Sequence, residues 1–209
     1  TYALTLVNTY EMYLVTALGV GIAGGGFSVG VAYVSKFYPK EKQGTALGVF
    51  GMGNIGAAVT KILAPLVMVA MGWHAVAQIW AIALVITAIL FWFLTEDDPS
   101  LQERRKSGIK PDSFLTQLAP LKNIQVWRFS LYYFFVFGAF VALALWLPRY
   151  LIGVYGLDIK TAGLIGAAYS IPASIFRVLG GVLSDKYGAR RVMYWTFIAS
   201  VICTFILSY

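Results

Sequence analysis

Long apolar runs separated by short polar turns give this chain its character. Six runs read as membrane spans, at residues 12–36, 45–71, 75–95, 127–151, 160–184 and 190–209. Each is near the ~20 residues that cross a bilayer as a helix. Residues 1–7 read as the tail of an earlier span. Backbone N–H and C=O groups in lipid must be satisfied within their own segment, so the runs predict helices. A membrane barrel would instead show short alternating strands, and none is present. One stretch breaks the pattern. Residues 96–126 open with EDDPSLQERRKSGIKPD, whose Pro, Ser and mixed charge fit a solvated connection. The expected fold is all-α and integral to the membrane, organised as 1–95 with three spans, a loop at 96–126, and 127–209 with three more.

Composition agrees: 59% of residues are hydrophobic, 12% are charged and mean hydropathy is +0.75, where a soluble domain is about a quarter charged. The chain begins at Thr1 without a methionine and stops at Tyr209 inside an apolar run, so we expect it to be part of a longer protein. The net charge of +7 changes meaning once the charges are placed. Of sixteen Lys and Arg, twelve fall on one side, in 37–44, 96–126 and 185–191 or beside them. Only Arg149 and Lys160 fall on the other, and Lys61 and Arg177 lie within spans. Basic loops stay in the cytoplasm, so the three loops are expected there, and the basic balance reflects topology rather than nucleic-acid binding. The single cysteine, Cys203, speaks against a disulfide framework or a Cys-based metal site. His74, in the short turn GWHA, reads as an interfacial residue. No metal and no cofactor is expected.

The candidate chemistry follows from depth. Counting 1.5 Å per residue from the cytoplasmic ends, Arg177 lies ~10 Å in, Asn54 ~15 Å, Phe27 ~13 Å, Tyr133 ~10 Å and Phe137 ~16 Å. The polar and aromatic exceptions of four spans thus share one layer near the midplane, where carriers built on repeats hold substrate. Arg177 is the most telling. A charge at that depth costs about 2.5–3.5 kcal/mol on insertion scales, and no Asp or Glu lies within the apolar runs to offset it. An arginine is planar, permanently charged and rich in donors, which suits a planar oxyanion. Tyr133 and Phe137, four residues apart, share a helix face. Asn54 fits either a ligand contact or an interhelical hydrogen bond. Lys61, two turns beyond Asn54 on its face, is either a second buried cation or a side chain that snorkels to the interface. Glycines crowd the first two spans, GVGIAGGGFSVG and GVFGMGNIG. Gly24, Gly26 and Gly30 are expected to pack against Gly48, Gly51, Gly53 and Gly56, because small residues let membrane helices approach closely.

GGVLSDKYGARR, residues 180–191, resembles the loop that joins the second and third helices of each six-helix domain in the major facilitator superfamily. Gly181, Asp185, Lys186, Gly188, Arg190 and Arg191 carry the match. The resemblance implies that the six spans are helices 4 to 9 of twelve and that 96–126 is the central cytoplasmic loop. Asp185 would then hold a cytoplasmic gate through a helix N-terminus or a basic residue. Within that superfamily, GVFGMGNIGAAVT and GGGFSVGVAYVSKFYPKEKQGTALG resemble the nitrate/nitrite porters. That likeness implies that Arg177 is one of two substrate arginines, the other lying outside this chain. It makes Phe27 and Phe137 an aromatic pair that sandwiches the anion, with Tyr133 and Asn54 as hydrogen-bonding neighbours. Gly24 and Gly51 fall in the glycine motifs, and Gly53 and Gly56 belong with them as coupling positions. Lys61 departs from that pattern, which has a neutral residue there, and leans toward the branch that couples nitrate to protons.

The implied activity is nitrate/nitrite transport across the bacterial inner membrane by alternating access, as an antiporter or a proton symporter. A monomeric transport unit in the bilayer is expected. Rival readings are a carrier of another small anion and a transporter-derived anion sensor. A membrane enzyme has less to build on, with one His, one Cys and no buried carboxylate pair for acid–base work.

Overall fold

The computed structural model describes residues 1–108 and 113–207. Among the described residues, ten α-helices run in chain order: α1 (Tyr10–Gly21), α2 (Gly26–Ser35), α3 (Gln43–Met52), α4 (Ile55–Met71), α5 (Trp73–Leu94), α6 (Pro99–Lys106), α7 (Phe114–Gln117), α8 (Ile124–Tyr155), α9 (Ile159–Tyr187) and α10 (Ala189–Leu207). They make six segments long and apolar enough to cross a membrane, at Tyr10–Ser35, Lys40–Met71, Trp73–Leu94, Ile124–Tyr155, Ile159–Tyr187 and Ala189–Ile206. All six expected spans are present; the second, fourth and fifth run three to five residues past an expected limit, and the others match within three. The last two residues of the sixth, 208–209, lie outside the described residues.

Turn and cap chemistry sets where the spans stop. Gly72, Gly156 and Gly188 have φ of 84°, 65° and 85° and close the turns after α4, α8 and α9, a backbone that only glycine adopts without cost. Asp158 caps α9: it accepts from Lys160 N at 2.9 Å, Thr161 N at 3.1 Å and Thr161 Oγ1 at 2.5 Å. Those bonds, the Thr161 hydroxyl first, hold its carboxyl below the usual carboxylate range. Asn123 caps α8 by accepting from Gln125 N at 2.9 Å.

Two spans tighten near their middles. Between α3 and α4, the N–H groups of Gly53, Asn54, Gly56 and Ala57 donate to carbonyls three residues back, at 3.0–3.2 Å. Between α1 and α2, residues Ile22–Gly25 form a 3₁₀ turn. Short 3₁₀ stretches inside longer helices often mark hinges. Here the first of them carries Asn54 past α9.

Two expectations change. Residues Tyr2–Leu6 form a 3₁₀ helix and Val7 is extended, so 1–7 is not the α-helical end of a span. The connection at 96–126 is partly folded. It contains α6, α7 and a 3₁₀ turn at Ala119–Lys122, and it is tied to its surroundings. Tyr33 OH donates to the Glu96 carbonyl at 2.6 Å, Lys36 pairs with Asp98, Arg105 Nη1 bonds Asp97 Oδ2 at 2.8 Å, and Trp127 Nε1 donates to the Leu121 carbonyl at 2.8 Å. Residues 109–112, including Lys110 of the basic cluster, lie outside the described residues.

The interior is a seam of small side chains. Among the described residues, the buried apolar ones are Ala58, Ala144, Ala162 and Ala167, and the largest fully buried side chains are Ser170 and Ser174. Large apolar side chains such as Phe91, Trp92 and Phe93 point outward, at 61%, 80% and 78% exposure. That inversion of a soluble protein is what hydrocarbon solvent permits. The tightest packing is α3 and α4 against α9, which joins the first three spans to the last three.

Candidate functional site

Glycine makes the seam close. Gly44, Gly48 and Gly51 stand on one face of α3, at the helical spacing of i, i+4 and i+7. A Cβ on Gly48 would lie 2.6 Å from the Arg177 carbonyl oxygen and 3.1 Å from Val178 Cα. One on Gly51 would lie 3.2 Å from Arg177 Cδ. Gly44 and Gly181 face each other so closely that a Cβ on either would overlap the other's backbone oxygen or its neighbours. Backbone against backbone, α9 is held where the Arg177 side chain must run along α3 toward Asn54.

Asn54 Oδ1, turned to face the guanidinium, accepts from Arg177 Nη1 at 2.8 Å and Nη2 at 3.0 Å. This two-pronged contact fixes the plane of the fork. It uses the amide oxygen and turns the amide NH₂, a donor, the other way. The Tyr133 hydroxyl also interacts with the guanidinium. Arg177 Cζ lies 5.3 Å from the Phe137 ring centroid and 5.6 Å from that of Phe140, within cation–π range. Among the described residues, no carboxylate pairs with Arg177.

The aromatic rings meet across the seam. Phe27 lies in nearly parallel planes with Phe137, centroids 6.3 Å apart at 13°, and with Tyr133, 6.3 Å apart at 15°. Tyr133 and Phe137 stack at 4.9 Å and 11°. Phe50 of α3 packs behind Phe27 at 5.6 Å. Phe27 belongs to the first three spans, Tyr133 and Phe137 to the last three. The facing rings therefore span the division at 96–126.

Six of the sequence-derived positions thus converge: Arg177, Asn54, Gly51, Tyr133, Phe137 and Phe27. Others do not. Gly24, Gly26 and Gly56 have nothing within 4 Å of an added Cβ, and Gly53 meets only the Phe50 carbonyl of its own span. The expected glycine-to-glycine contact between the first two spans is not made. Gly30 instead meets the Phe50 ring, and the α3 glycines face α9. The reason is rotational: the small face of α9 is shared out along its length, with Gly181 against Gly44 of α3 and Gly163 against Lys61 and Pro65 of α4. Lys61 is not at the anion layer but further along the seam, where its Nζ donates to Ser170 Oγ. His74 lies against Trp73, ring centroids 3.8 Å apart and tilted by 32°, in the first turn of α5.

Two features were missed. Phe140 follows Phe137 by three residues and Tyr133 by seven, so the helical spacing that paired the first two rings also reaches the third. The Gly/Ala/Ser repeat TAGLIGAAYSIPAS of α9 carries the same small-residue signal as the glycine-rich spans.

Asp185 sits at the end of the seam near the basic loops. Its Oδ1 accepts from Gly44 N at 2.8 Å, and its Oδ2 from Thr45 N and Thr45 Oγ1, both at 2.7 Å. These are first-turn groups of α3, where free N–H donors and the helix dipole favour a carboxylate. The bonds join the first three spans to the last three at that end. In a Cys203→Ser background, Asp185→Asn should speed labelling of a cysteine placed at Val178 about 5-fold, since ~1 kcal/mol is lost from that contact. An unchanged labelling rate would mean the contact does not restrain the seam. A cavity of 760 Å³ opens between α2 and α3, with Tyr33, Phe37, Thr45 and Phe50 in its wall. It excludes Arg177, so charge rather than volume marks the site.

The chain is 45% identical to "Probable nitrate/nitrite antiporter NarK1" of Thermus thermophilus, over 94% of this chain and 46% of that protein. It is 37% identical to "Nitrite extrusion protein" of Bacillus subtilis, over 91% of this chain and 46% of that one. It is 35% identical to "Probable nitrate transporter NarT" of Staphylococcus epidermidis, over 94% and 49%. The chain spans about half the length of the curated relatives it matches. No solved structure gives a significant match. The Major Facilitator Superfamily model matches residues 1–209; the chain belongs to that family and is a multi-pass protein of the bacterial plasma membrane.

Proposed function

We propose that the full-length protein carries nitrate and nitrite across the membrane by alternating access. The observation that carries this reading is the Arg177 centre: a fork fixed by Asn54, backed by the Phe137 and Phe140 rings, at the seam between 1–95 and 127–209. Residues 96–126 are the hinge-spanning cytoplasmic connection between these parts. A flat monovalent oxyanion offers acceptor atoms in one plane, which matches guanidinium donors, the Asn54 NH₂ and the Tyr133 hydroxyl. Its two faces suit Phe27 and Phe137. The two rings lie nearly parallel, at 13° with centroids 6.3 Å apart, on opposite sides of the seam.

The same arrangement supports motion. An ion at Arg177 neutralises the seam, Asp185 loosens from α3, and the glycine faces slide as the halves rock about the site. If an unneutralised centre resists rocking, the return step needs an ion as well, and the carrier exchanges nitrate for nitrite. The names of the relatives favour this class over a carrier of larger anions, a sensor or an enzyme.

Flux measurements in proteoliposomes test the reading. Nitrate is supplied outside, with and without nitrite inside, at one pH and then under a pH gradient. We expect uptake that requires internal nitrite and ignores the gradient. Gradient-driven uptake into empty vesicles would replace exchange by proton symport. No flux of either ion would overturn the reading.

A further inference from the structure

Lys61 is a membrane-embedded cation for which the Arg177 centre has no use. It lies seven residues past Asn54, about 10 Å along the span. Seven residues likewise separate Ser170 from Arg177 on α9. Lys61 Nζ donates to Ser170 Oγ, and the fully buried Ser170 in turn donates to the Gly166 carbonyl at 3.0 Å. Space for the lysine comes from α9 glycines. A Cβ on Gly163 would strike the Lys61 carbonyl oxygen, and one on Gly166 would lie 3.4 Å from Lys61 Cδ.

An ammonium has three donors, and Ser170 accepts one. Among the described residues Lys61 makes no ion pair. A charge at this depth is costly unless something negative meets it. A chain of aromatic contacts links the surroundings of the two cations. Phe137 contacts Phe140 at 6.2 Å, and Phe140 contacts Tyr169, the neighbour of Ser170, at 5.9 Å.

We infer that Lys61 is a second station for a small monovalent oxyanion, visited as the ion enters or leaves on the side opposite Asp185. Ser170 parks the amine between visits. The inference rests on the anion-carrier reading above. An ion held at Arg177 must leave a cation inside a low-dielectric seam, and a second cation about 10 Å away gives it an intermediate stop.

The test is nitrate flux by the full-length protein in proteoliposomes, with KM measured separately from each side for wild type, Lys61→Gln and Lys61→Arg. A station that captures ions electrostatically predicts that Lys61→Gln raises KM on its own side about 10-fold. The KM on the Asp185 side should stay within about 2-fold, and Lys61→Arg should restore capture, since it keeps the charge. A purely structural clasp predicts the opposite sign: losing the Ser170 bond eases opening on that side and lowers its KM. A fall, an equal change on both sides, or no change overturns the inference. Should Lys61→Gln fail to insert, Lys61→His serves instead, compared with wild type at about pH 8 and pH 5.5. The KM on that side must then drop as the imidazole charges. Absence of any wild-type nitrate or nitrite flux removes the carrier reading and this inference together. Normal wild-type flux with symmetric Lys61→Gln kinetics removes the inference alone.

Discussion

Replacing Arg177 with lysine should reduce nitrate uptake about 100-fold while the protein inserts at its normal level. Lysine keeps the positive charge, so the experiment isolates geometry from charge. The guanidinium holds Asn54 through two nitrogens at 2.8 and 3.0 Å and lies over two aromatic rings at 5.3 and 5.6 Å. An ammonium can satisfy the Asn54 oxygen with one donor. It cannot present two parallel N–H groups to a planar anion while also lying flat on Phe137. Hydrogen bonds to charged groups contribute ~1.5–3 kcal/mol each, and a 100-fold loss corresponds to about 2.7 kcal/mol. The prediction therefore asks for little more than one such bond. Uptake should be read at nitrate well below saturation, with membrane content of the variant measured in parallel. Uptake by Arg177→Lys close to wild type would mean that the site senses charge alone, and the planar-fork argument would be lost.

The second large effect is expected from a single methyl group. Gly48→Ala places a Cβ 2.6 Å from the Arg177 carbonyl oxygen and 3.1 Å from Val178 Cα. Both are backbone atoms, which no rotamer change can move aside. The helices must part by nearly 1 Å, because ordinary carbon contacts begin near 3.5 Å. Overpacking of this kind costs ~1–3 kcal/mol. Here it also displaces the backbone that carries the Arg177 side chain, and small displacements at a binding centre are costly in rate. Transport should fall at least ~10-fold, and thermal stability of the detergent-solubilised protein should fall with it. Gly180→Ala, on the same partner helix but with nothing within 4 Å of an added Cβ, should stay within about 2-fold of wild type and provides the control. Equal behaviour of the two alanine variants would show that α3 and α9 do not approach this closely in the working protein.

The two predictions have different roots in the chain. Arg177 could be singled out from sequence because charge in an apolar run is conspicuous without any knowledge of its neighbours. Gly48 could not be separated from the other glycines, because the same residue type also occurs at Gly24, Gly26 and Gly56, which touch nothing. A glycine-rich helix announces that something will come close. It does not say which helix or which face.

What the sequence determined by itself was the number of spans, their limits to within a few residues, the bias of basic loops to one side, and the layer of Arg177, Asn54, Tyr133, Phe137 and Phe27. These depend on local quantities: run length, charge placement and 1.5 Å of rise per residue. Tertiary structure decided the rest. It chose α9 as the partner of α3 and α4, turned the Asn54 oxygen onto Arg177, added Phe140 to the cation's wall, and set Lys61 against Ser170. It also folded part of 96–126 and made residues 2–6 a 3₁₀ turn. The physical reason lies in the solvent. In water, an apolar stripe shows which side of a helix is inside; in lipid, hydrocarbon outside is as apolar as the side chains within, so the pattern of hydrophobic positions does not fix a helix's rotation. That rotation is set by fit between small faces, and fit is a property of two helices at once.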